Sequence, residues 1–247
     1  LSQIGGVVYL VSFLLSKKLK ITSGIKQLLL FLGLYAIATF VLVPPLASHF
    51  GREKVKHNAL IQPTNYITVV LNRNYVTPDV NLVLKHTAEE LSGTGIQLHY
   101  LDANFPFITS FPLPPHLSHN DGRKLDLSLI YETPEGEISS EQKSRSGYGV
   151  FEEPKNGEFN QIVKCKINGY YQYDYSKYLT FGAKNQELDF SSKGTQILVK
   201  SLLKQPQLEK LFIEPHLKTR LNLNNSKVRF HGCRAVRHDD HIHFQVK

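Results

Sequence analysis

The histidines near the C-terminus have the types and spacing of a metal site. Residues 238–247 read HDDHIHFQVK, in which His238, His241 and His243 follow an H-x-x-H-x-H pattern. Apolar and polar residues alternate there, which predicts a strand with His241 and His243 on the same face. Two imidazoles on one rigid element supply half of a metal site, so the other ligands must lie upstream.

The other half of the site is predicted in the middle of the chain, at His116, His119 and Asp126. Residues 124–131 alternate as a strand does, with three leucines on one face and the Asp126 carboxylate on the other. Histidine nitrogen and carboxylate oxygen together suit Zn²⁺, and a site with three protein ligands keeps one position open for water. The sequence has no Cys-x-x-Cys pair, which argues against a zinc finger.

The histidines outside these two motifs lack such spacing. A lone histidine is more often a surface or packed residue than a ligand, so no functional role is assigned to His57, His86, His99, His216 or His231. A histidine-rich terminus can also bind metal weakly and adventitiously, and the spacing alone leaves that alternative open.

The elements that must position the candidate ligands are predicted to form one domain over residues 65–247. Strands are predicted at 66–71, 95–101, 124–131 and 211–213 and at the C-terminus. A helix begins at Thr77 as N-cap with Pro78 in its first turn and continues to Gly93. Another is predicted within the stretch 194–208, where it ends before Pro206. This mixture predicts an α+β fold, a small mixed or antiparallel sheet with flanking helices.

Residues 132–193 interrupt this pattern as a long polar excursion with a late cluster of tyrosines. Long excursions in compact domains are often functional. Two interpretations stay open: a mobile hairpin with packed tyrosines, or a lid that contacts substrate. Cys165 and Cys233 can pair if this part of the chain lies outside the cytoplasm, and otherwise stay unpaired.

The first 50 residues are rich in apolar side chains and predict a transmembrane helical hairpin. The segment 4–15 is short for a span of about 20 residues, which an incomplete N-terminus would explain, and 28–43 is free of charge. A cleavable signal peptide is the alternative for the first segment. Four lysines between the segments place that loop in the cytoplasm and send the chain after residue 50 outward. Residues 51–64 are predicted to be a linker.

The net charge of +8, with a pI near 9.3, favours an anionic partner. Nucleic acid, lipid headgroups and an acidic cell-wall polymer all meet that requirement. Charge alone does not choose among them.

The two motifs together resemble the lysostaphin/D-alanyl-D-alanine metallopeptidase group, and within it most of all the penicillin-insensitive murein endopeptidases. Residues 118–126 read SHNDGRKLD and match the group's S-H-x-x-G-x-x-x-D, and the terminal H-x-x-H-x-H follows downstream. The resemblance implies that His119, Asp126 and His243 bind zinc. It places His241 beside the zinc-bound water or the oxyanion, without binding the metal, and His238 where related enzymes hold a general base.

Three more residues have supporting roles in this interpretation. His116 is assigned as an auxiliary metal residue or a neighbour that supports the ligands. Asp239 and Asp240 are predicted to orient the imidazoles, with solvent-facing charge as the alternative.

The resemblance implies a zinc metallopeptidase anchored in the bacterial cytoplasmic membrane, with its catalytic domain in the periplasm, that hydrolyses amides in peptidoglycan peptides. Peptidoglycan and membrane lipid are the expected partners, and no nucleic acid is expected. The alternatives are a D-alanyl-D-alanine carboxypeptidase or dipeptidase, and a noncatalytic zinc-containing binding or signalling domain. The membrane anchor and the excursion depart from the group's pattern.

Overall fold

The computed structural model describes residues 2–114 and 116–247. Its α-helices are α1 Gly5–Lys18, α2 Gly24–Ile37, α3 Val43–Ser48, α4 Ile67–Val70, α5 Pro78–Glu90, α6 Gln161–Ile167, α7 Ser192–Lys204 and α8 Pro215–Arg220. Its strands are β1 Glu53–Lys54, β2 Ile61–Pro63, β3 Tyr75–Val76, β4 Leu98–Tyr100, β5 Lys124–Ser128, β6 Tyr131–Glu132, β7 Ile138–Ser139, β8 Asp189–Phe190, β9 Leu208–Phe212, β10 Val228–Arg229 and β11 His241–Val246. A π-helical turn, Ala38–Leu42, joins α2 to α3, and a 3₁₀ segment covers Tyr171–Leu179.

A six-stranded mixed sheet carries the site, with strand order β10-β9-β11-β5-β4-β2. The central pairs are antiparallel and the two edge pairs are parallel. Apolar residues of β5 and β11, among them Leu127 and Phe244, are fully buried in one core with the apolar faces of α5 and α7. The prediction of an α+β fold with a mixed sheet and flanking helices is confirmed.

Residues 66–71, predicted to be a strand, instead contain the one-turn helix α4. The β-branched side chains favour a strand locally, but tertiary contacts decide otherwise. The Asn65 side chain accepts a hydrogen bond from the Ile67 amide (3.1 Å), and the Thr68 hydroxyl donates to the Leu101 carbonyl (2.8 Å). Both contacts suit a helical turn packed against the end of β4.

Residues 51–64, predicted to be a linker, belong to the folded domain. Ile61 pairs with Leu98 in the main sheet, and Glu53 pairs with Val76 in a small two-stranded sheet. Arg52 is buried and donates to the Thr109 hydroxyl at 3.0 Å. The segment is therefore part of the folded domain although Lys56, His57 and Asn58 are exposed, which local sequence does not distinguish from a solvated linker.

The excursion 132–193 is built from a small antiparallel sheet (β7-β6-β8), α6 and the 3₁₀ segment. Tyr173 is fully buried, and its hydroxyl donates to Glu214 Oε1 at 2.6 Å. Cys165 in α6 forms a disulfide with Cys233, which joins the excursion to the loop before β11. The excursion is therefore packed against the domain.

The N-terminal helices α1 and α2 pack side by side, with the Tyr9 and Phe31 rings 6.2 Å apart. The continuous helix Gly24–Ser48 is long and apolar enough to cross a membrane, a property that signal sequences share. Among the described residues it is the only helix that meets this criterion. Because α1 has 14 residues, the structure provides one candidate span where the sequence predicts two.

Candidate metal centre

Strand register brings Asp126 and His243 together. In the antiparallel pair of β5 and β11, His243 lies opposite Asp126 and His241 lies opposite Ser128. These four side chains share one face of the sheet because side chains on a strand alternate. The opposite face carries the buried leucines that contact α5 and α7.

The loop before β5 brings His119 to the same face. Gly122 has φ of +85°, and a Cβ there would lie 3.0 Å from Arg52 Nε, so glycine suits this tight turn into the strand. His119 Nδ1 lies 2.7 Å from the Ala103 carbonyl oxygen. Since a carbonyl only accepts, Nδ1 carries a proton, and in the neutral imidazole the lone pair is on Nε2.

Three potential ligand atoms converge on one point. His119 Nε2 lies 3.0 Å from His243 Nδ1 and 3.2 Å from Asp126 Oδ1, and His243 Nδ1 lies 2.9 Å from the same Oδ1. Ligand atoms around a tetrahedral zinc with bonds of about 2.0–2.1 Å lie roughly 3.3 Å apart. The triangle is therefore close to the size that a single metal ion requires.

The two oxygens of Asp126 have different surroundings. Oδ2 lies 2.7 Å from His116 Nδ1 and accepts a hydrogen bond of 2.8 Å from the Tyr148 hydroxyl. Oδ1 is buried and has no hydrogen-bond donor among the described residues. An acceptor buried without a partner is costly, and a bound cation satisfies it.

His116, His119 and Asp126 form a buried group that could hold a metal ion, with ligand atoms all within 4.8 Å of one another. Nε2 of His116 is buried and has no partner among the described residues. His119 and Asp126 belong both to this group and to the triangle with His243. His116 and His243 therefore compete for the third ligand position, and the contact of His116 with Oδ2 favours His243 at Oδ1.

Burial and the charges within this group strongly shift the pKa values of its side chains. Burial raises the pKa of Asp126, but the nearby histidines outweigh burial and hold it well below its ordinary value. Burial lowers the pKa of His119, but the Asp126 charge more than compensates and raises it. For His243 burial dominates and lowers the pKa to about 3. An unprotonated His243 beside an ionised Asp126 suits metal binding.

His238 and His241 lie beside the metal group, with their ring centroids 4.8 Å apart. His241 Nδ1 lies 2.5 Å from Asp240 Oδ1. Burial lowers the pKa of His241, but Asp240 and Asp126 raise it to about 9. Burial and the neighbouring histidines lower the pKa of His238 well below its ordinary value. The pair thus combines a cationic and a neutral imidazole.

The two aspartates between these histidines are buried and have separate roles. Asp240 contacts His241 and also accepts a hydrogen bond from the Gly149 amide at 2.7 Å. Asp239 does not orient a histidine of the cleft, which corrects the prediction for this residue. It forms a buried ion pair with Arg237, whose Nε lies 2.7 Å from Asp239 Oδ1.

A cleft with a volume of about 470 Å³ opens onto these histidines. Histidines dominate its lining, which also contains Leu117, Ser118, Gln172, Tyr175, Arg234, Ala235 and Val236. The predicted residues that reach it are His116, His119, His238, His241 and His243.

Sequence reasoning missed three residues of the site. Tyr148 lies in the excursion and no motif marks it, although it contacts Asp126. Glu214 is buried, and its Oε1 accepts from the His238 amide at 3.0 Å. His231 was set aside as an isolated histidine, but it lines the cleft and stacks on Phe212 with ring centroids 4.1 Å apart. The only sequence signal for His231 was the clustering of histidines after position 230.

No protein-family model matches this chain. No curated protein sequence matches it at a significant level. Its function must therefore be inferred from the chemistry of the site.

Proposed function

We propose that this protein is a membrane-anchored zinc metallopeptidase that hydrolyses amide bonds in peptidoglycan peptides. The observation that carries the proposal is the triangle of His119 Nε2, Asp126 Oδ1 and His243 Nδ1, with sides of 2.9–3.2 Å, whose two histidines line an open cleft. Its two nitrogen donors and one carboxylate oxygen are the donor set of catalytic zinc sites. The resemblance of the two motifs to the lysostaphin/D-alanyl-D-alanine metallopeptidase group supports the same function.

Zinc held by His119, Asp126 and His243 would polarise an amide carbonyl and lower the pKa of a water molecule to about 7. The remaining roles belong to the chain's own side chains. His116 and Tyr148 hold Asp126 through its Oδ2, so that Oδ1 stays directed at the ligand position. Ala103 fixes the tautomer of His119 in the same way.

His238 and His241 have different roles in the proposed hydrolysis. Burial and the neighbouring histidines lower the pKa of His238 and keep its imidazole neutral, so its lone pair is available to remove a proton from the attacking water. It then delivers that proton to the leaving amine. His241 is paired with Asp240, which stabilises positive charge on the imidazole, so His241 is suited to neutralise the developing oxyanion.

The disulfide and the N-terminal helix support the proposed location. A disulfide between Cys165 and Cys233 persists in an oxidising compartment such as the periplasm. The helix Gly24–Ser48 has the length and apolarity of a membrane anchor. The net positive charge of the chain would also attract a domain outside the membrane to an anionic cell wall.

The proposal is tested by incubating the zinc-loaded full-length protein with purified cross-linked and uncross-linked muropeptides. Loss of cross-linked dimers supports an endopeptidase, and release of terminal D-alanine supports a D-alanyl-D-alanine carboxypeptidase. Zinc binding without cleavage of any muropeptide would favour a noncatalytic binding domain. A folded protein that binds no zinc would refute the proposal.

The anchor is tested by alkaline carbonate extraction of membranes. The chain should remain in the pellet, and the double substitution Leu29→Arg and Leu32→Arg should release it, since each arginine near the centre of a span costs about 2.5–3.5 kcal/mol. Ile167→Arg is the matched control because Ile167 lies on α6 and is 80% exposed. Full extraction of the unaltered chain would contradict membrane anchoring.

A further inference from the structure

The cleft has one charged side chain outside its histidine group. Its lining includes Gln172 and Tyr175 from the 3₁₀ segment and Arg234 from the loop before β11. Among the described lining residues Arg234 is the only lysine or arginine, and none is an aspartate or glutamate. The cleft therefore offers a cation, and no repelling carboxylate, to a ligand that lies beside the histidines.

The backbone of Arg234 is held firmly in place. Its neighbour Cys233 is joined to α6 by the disulfide with Cys165. The Gln172 side chain donates to the Cys233 carbonyl at 3.1 Å, and the Ala235 amide donates to the Gly232 carbonyl at 3.2 Å. The excursion thus fixes the position of the arginine relative to the metal group.

Arg234 is an exposed residue that lines the cleft. It takes part in none of the ion pairs formed within residues 2–114 and 116–247. Arg237, three residues later, is instead buried and paired with Asp239. Its guanidinium lies over the Phe151 ring, 3.8 Å from the ring centroid. Arg237 stabilises the fold, whereas the donors of Arg234 are available to a ligand.

We infer that Arg234 is a specificity-determining residue that binds a free carboxylate of the substrate next to the scissile amide. This inference rests on the proposed function and narrows its substrates to peptides with such a group. A guanidinium presents two parallel N–H donors that match a carboxylate, a geometry that lysine or glutamine does not reproduce. The carboxylate can be a C-terminal one or belong to a side chain, because both present the same two oxygens.

The test uses a peptidoglycan stem peptide in matched forms: free acid at both carboxylates, C-terminal carboxamide, and side-chain carboxamide. Zinc-loaded full-length protein is compared with Arg234→Gln and Arg234→Lys for kcat/KM. Dissociation constants are measured by calorimetry in the His238→Ala background, where hydrolysis is expected to be slow. Arg229→Gln is the matched control, because Arg229 is exposed on β10 and does not line the cleft.

The unaltered protein and Arg229→Gln should prefer the acid over one of the carboxamides by about tenfold or more. Arg234→Gln should lose that preference through a higher KM and dissociation constant for the acid, while its constants for the poorly bound carboxamide stay unchanged. Arg234→Lys should retain part of the preference. The carboxamide that binds poorly identifies which carboxylate is recognised.

Two results overturn the inference: an acid preference that persists in Arg234→Gln, or an equal loss for acid and carboxamide. Hydrolysis without any acid preference contradicts the inference but leaves the proposed function standing. Acid-selective binding that depends on Arg234, without hydrolysis of any peptide, supports the inference and contradicts the enzymatic function.

Discussion

His243 lies directly opposite Asp126 across the β5–β11 pair, with its Nδ1 2.9 Å from Asp126 Oδ1. The two residues are 117 positions apart in the chain, and backbone hydrogen bonds between adjacent strands fix their distance. A ligand pair on the centre of a sheet is held more rigidly than one on loops. His119 completes the group from a loop that is anchored by its own contacts.

Zinc affinity should depend on Asp126 and, more weakly, on the hydroxyl of Tyr148. Asp126→Ala should abolish stoichiometric zinc binding, because it removes a ligand. Tyr148→Phe removes the hydrogen bond to Oδ2 and should weaken zinc binding by about 10- to 100-fold. Competition with a metal chelator measures both affinities. Tyr178→Phe, at an exposed position, is the control, and equal affinities for Tyr148→Phe and this control would contradict the role of Tyr148.

Hydrolysis should depend on His238 and His241 without loss of metal. Alanine at His238 should lower kcat by about 10²- to 10⁴-fold, the usual contribution of a positioned base. Alanine at His241 should lower it by about 10²- to 10³-fold, the usual contribution of one oxyanion-stabilising group. Zinc content, measured by elemental analysis, should stay near one ion per chain. His86→Ala on α5 is the control, since His86 lies on the other side of the sheet. Loss of zinc in either variant would show that the ligands are wrongly assigned.

The Cys165–Cys233 disulfide should stabilise the protein substantially. Its cysteines are 68 residues apart, so the cross-link restricts the unfolded chain, and removing it should cost about 2–4 kcal/mol. Urea unfolding of the Cys165→Ser and Cys233→Ser double variant measures the change. The same shift should follow reduction of the unaltered protein, and a stability insensitive to reductant would show that the bond does not form.

Acid should remove the contribution of the Glu158–Arg220 ion pair. Hydrogen bonds from Arg220, with Nε 2.8 Å from Oε1, lower the pKa of Glu158 from its ordinary value near 4.5 to about 2. A folded-state pKa below the unfolded value means that the stabilisation is complete above pH 4.5 and disappears as the pH falls towards 2. Glu158→Gln should therefore cost of the order of 1 kcal/mol at pH 7 and little at pH 2.

Unfolding free energies at the two pH values check this prediction. Glu187→Gln is the control, because Glu187 is exposed and forms none of the ion pairs among the described residues. A Glu158→Gln effect of the same size at pH 2 and pH 7 would mean that the side chain acts through packing and not through its charge.

Short stretches of sequence were enough to predict the local features of the site. Alternation in residues 241–246 and 124–128 predicts which side chains share a face, because a strand has a side-chain period of two. Local signals also predicted that α5 begins at Thr77-Pro78 and that α7 ends before Pro206. The structure has both helices there. Each of these inferences needs only neighbouring residues.

Tertiary structure decided what depends on distant parts of the chain. Register placed His243 opposite Asp126, and burial turned Asp239 towards Arg237 and away from the cleft. The excursion supplied Tyr148, and the strand predicted at 66–71 became a helical turn. Hydrogen-bond partners and burial set these outcomes, and both arise only when segments far apart in sequence pack together.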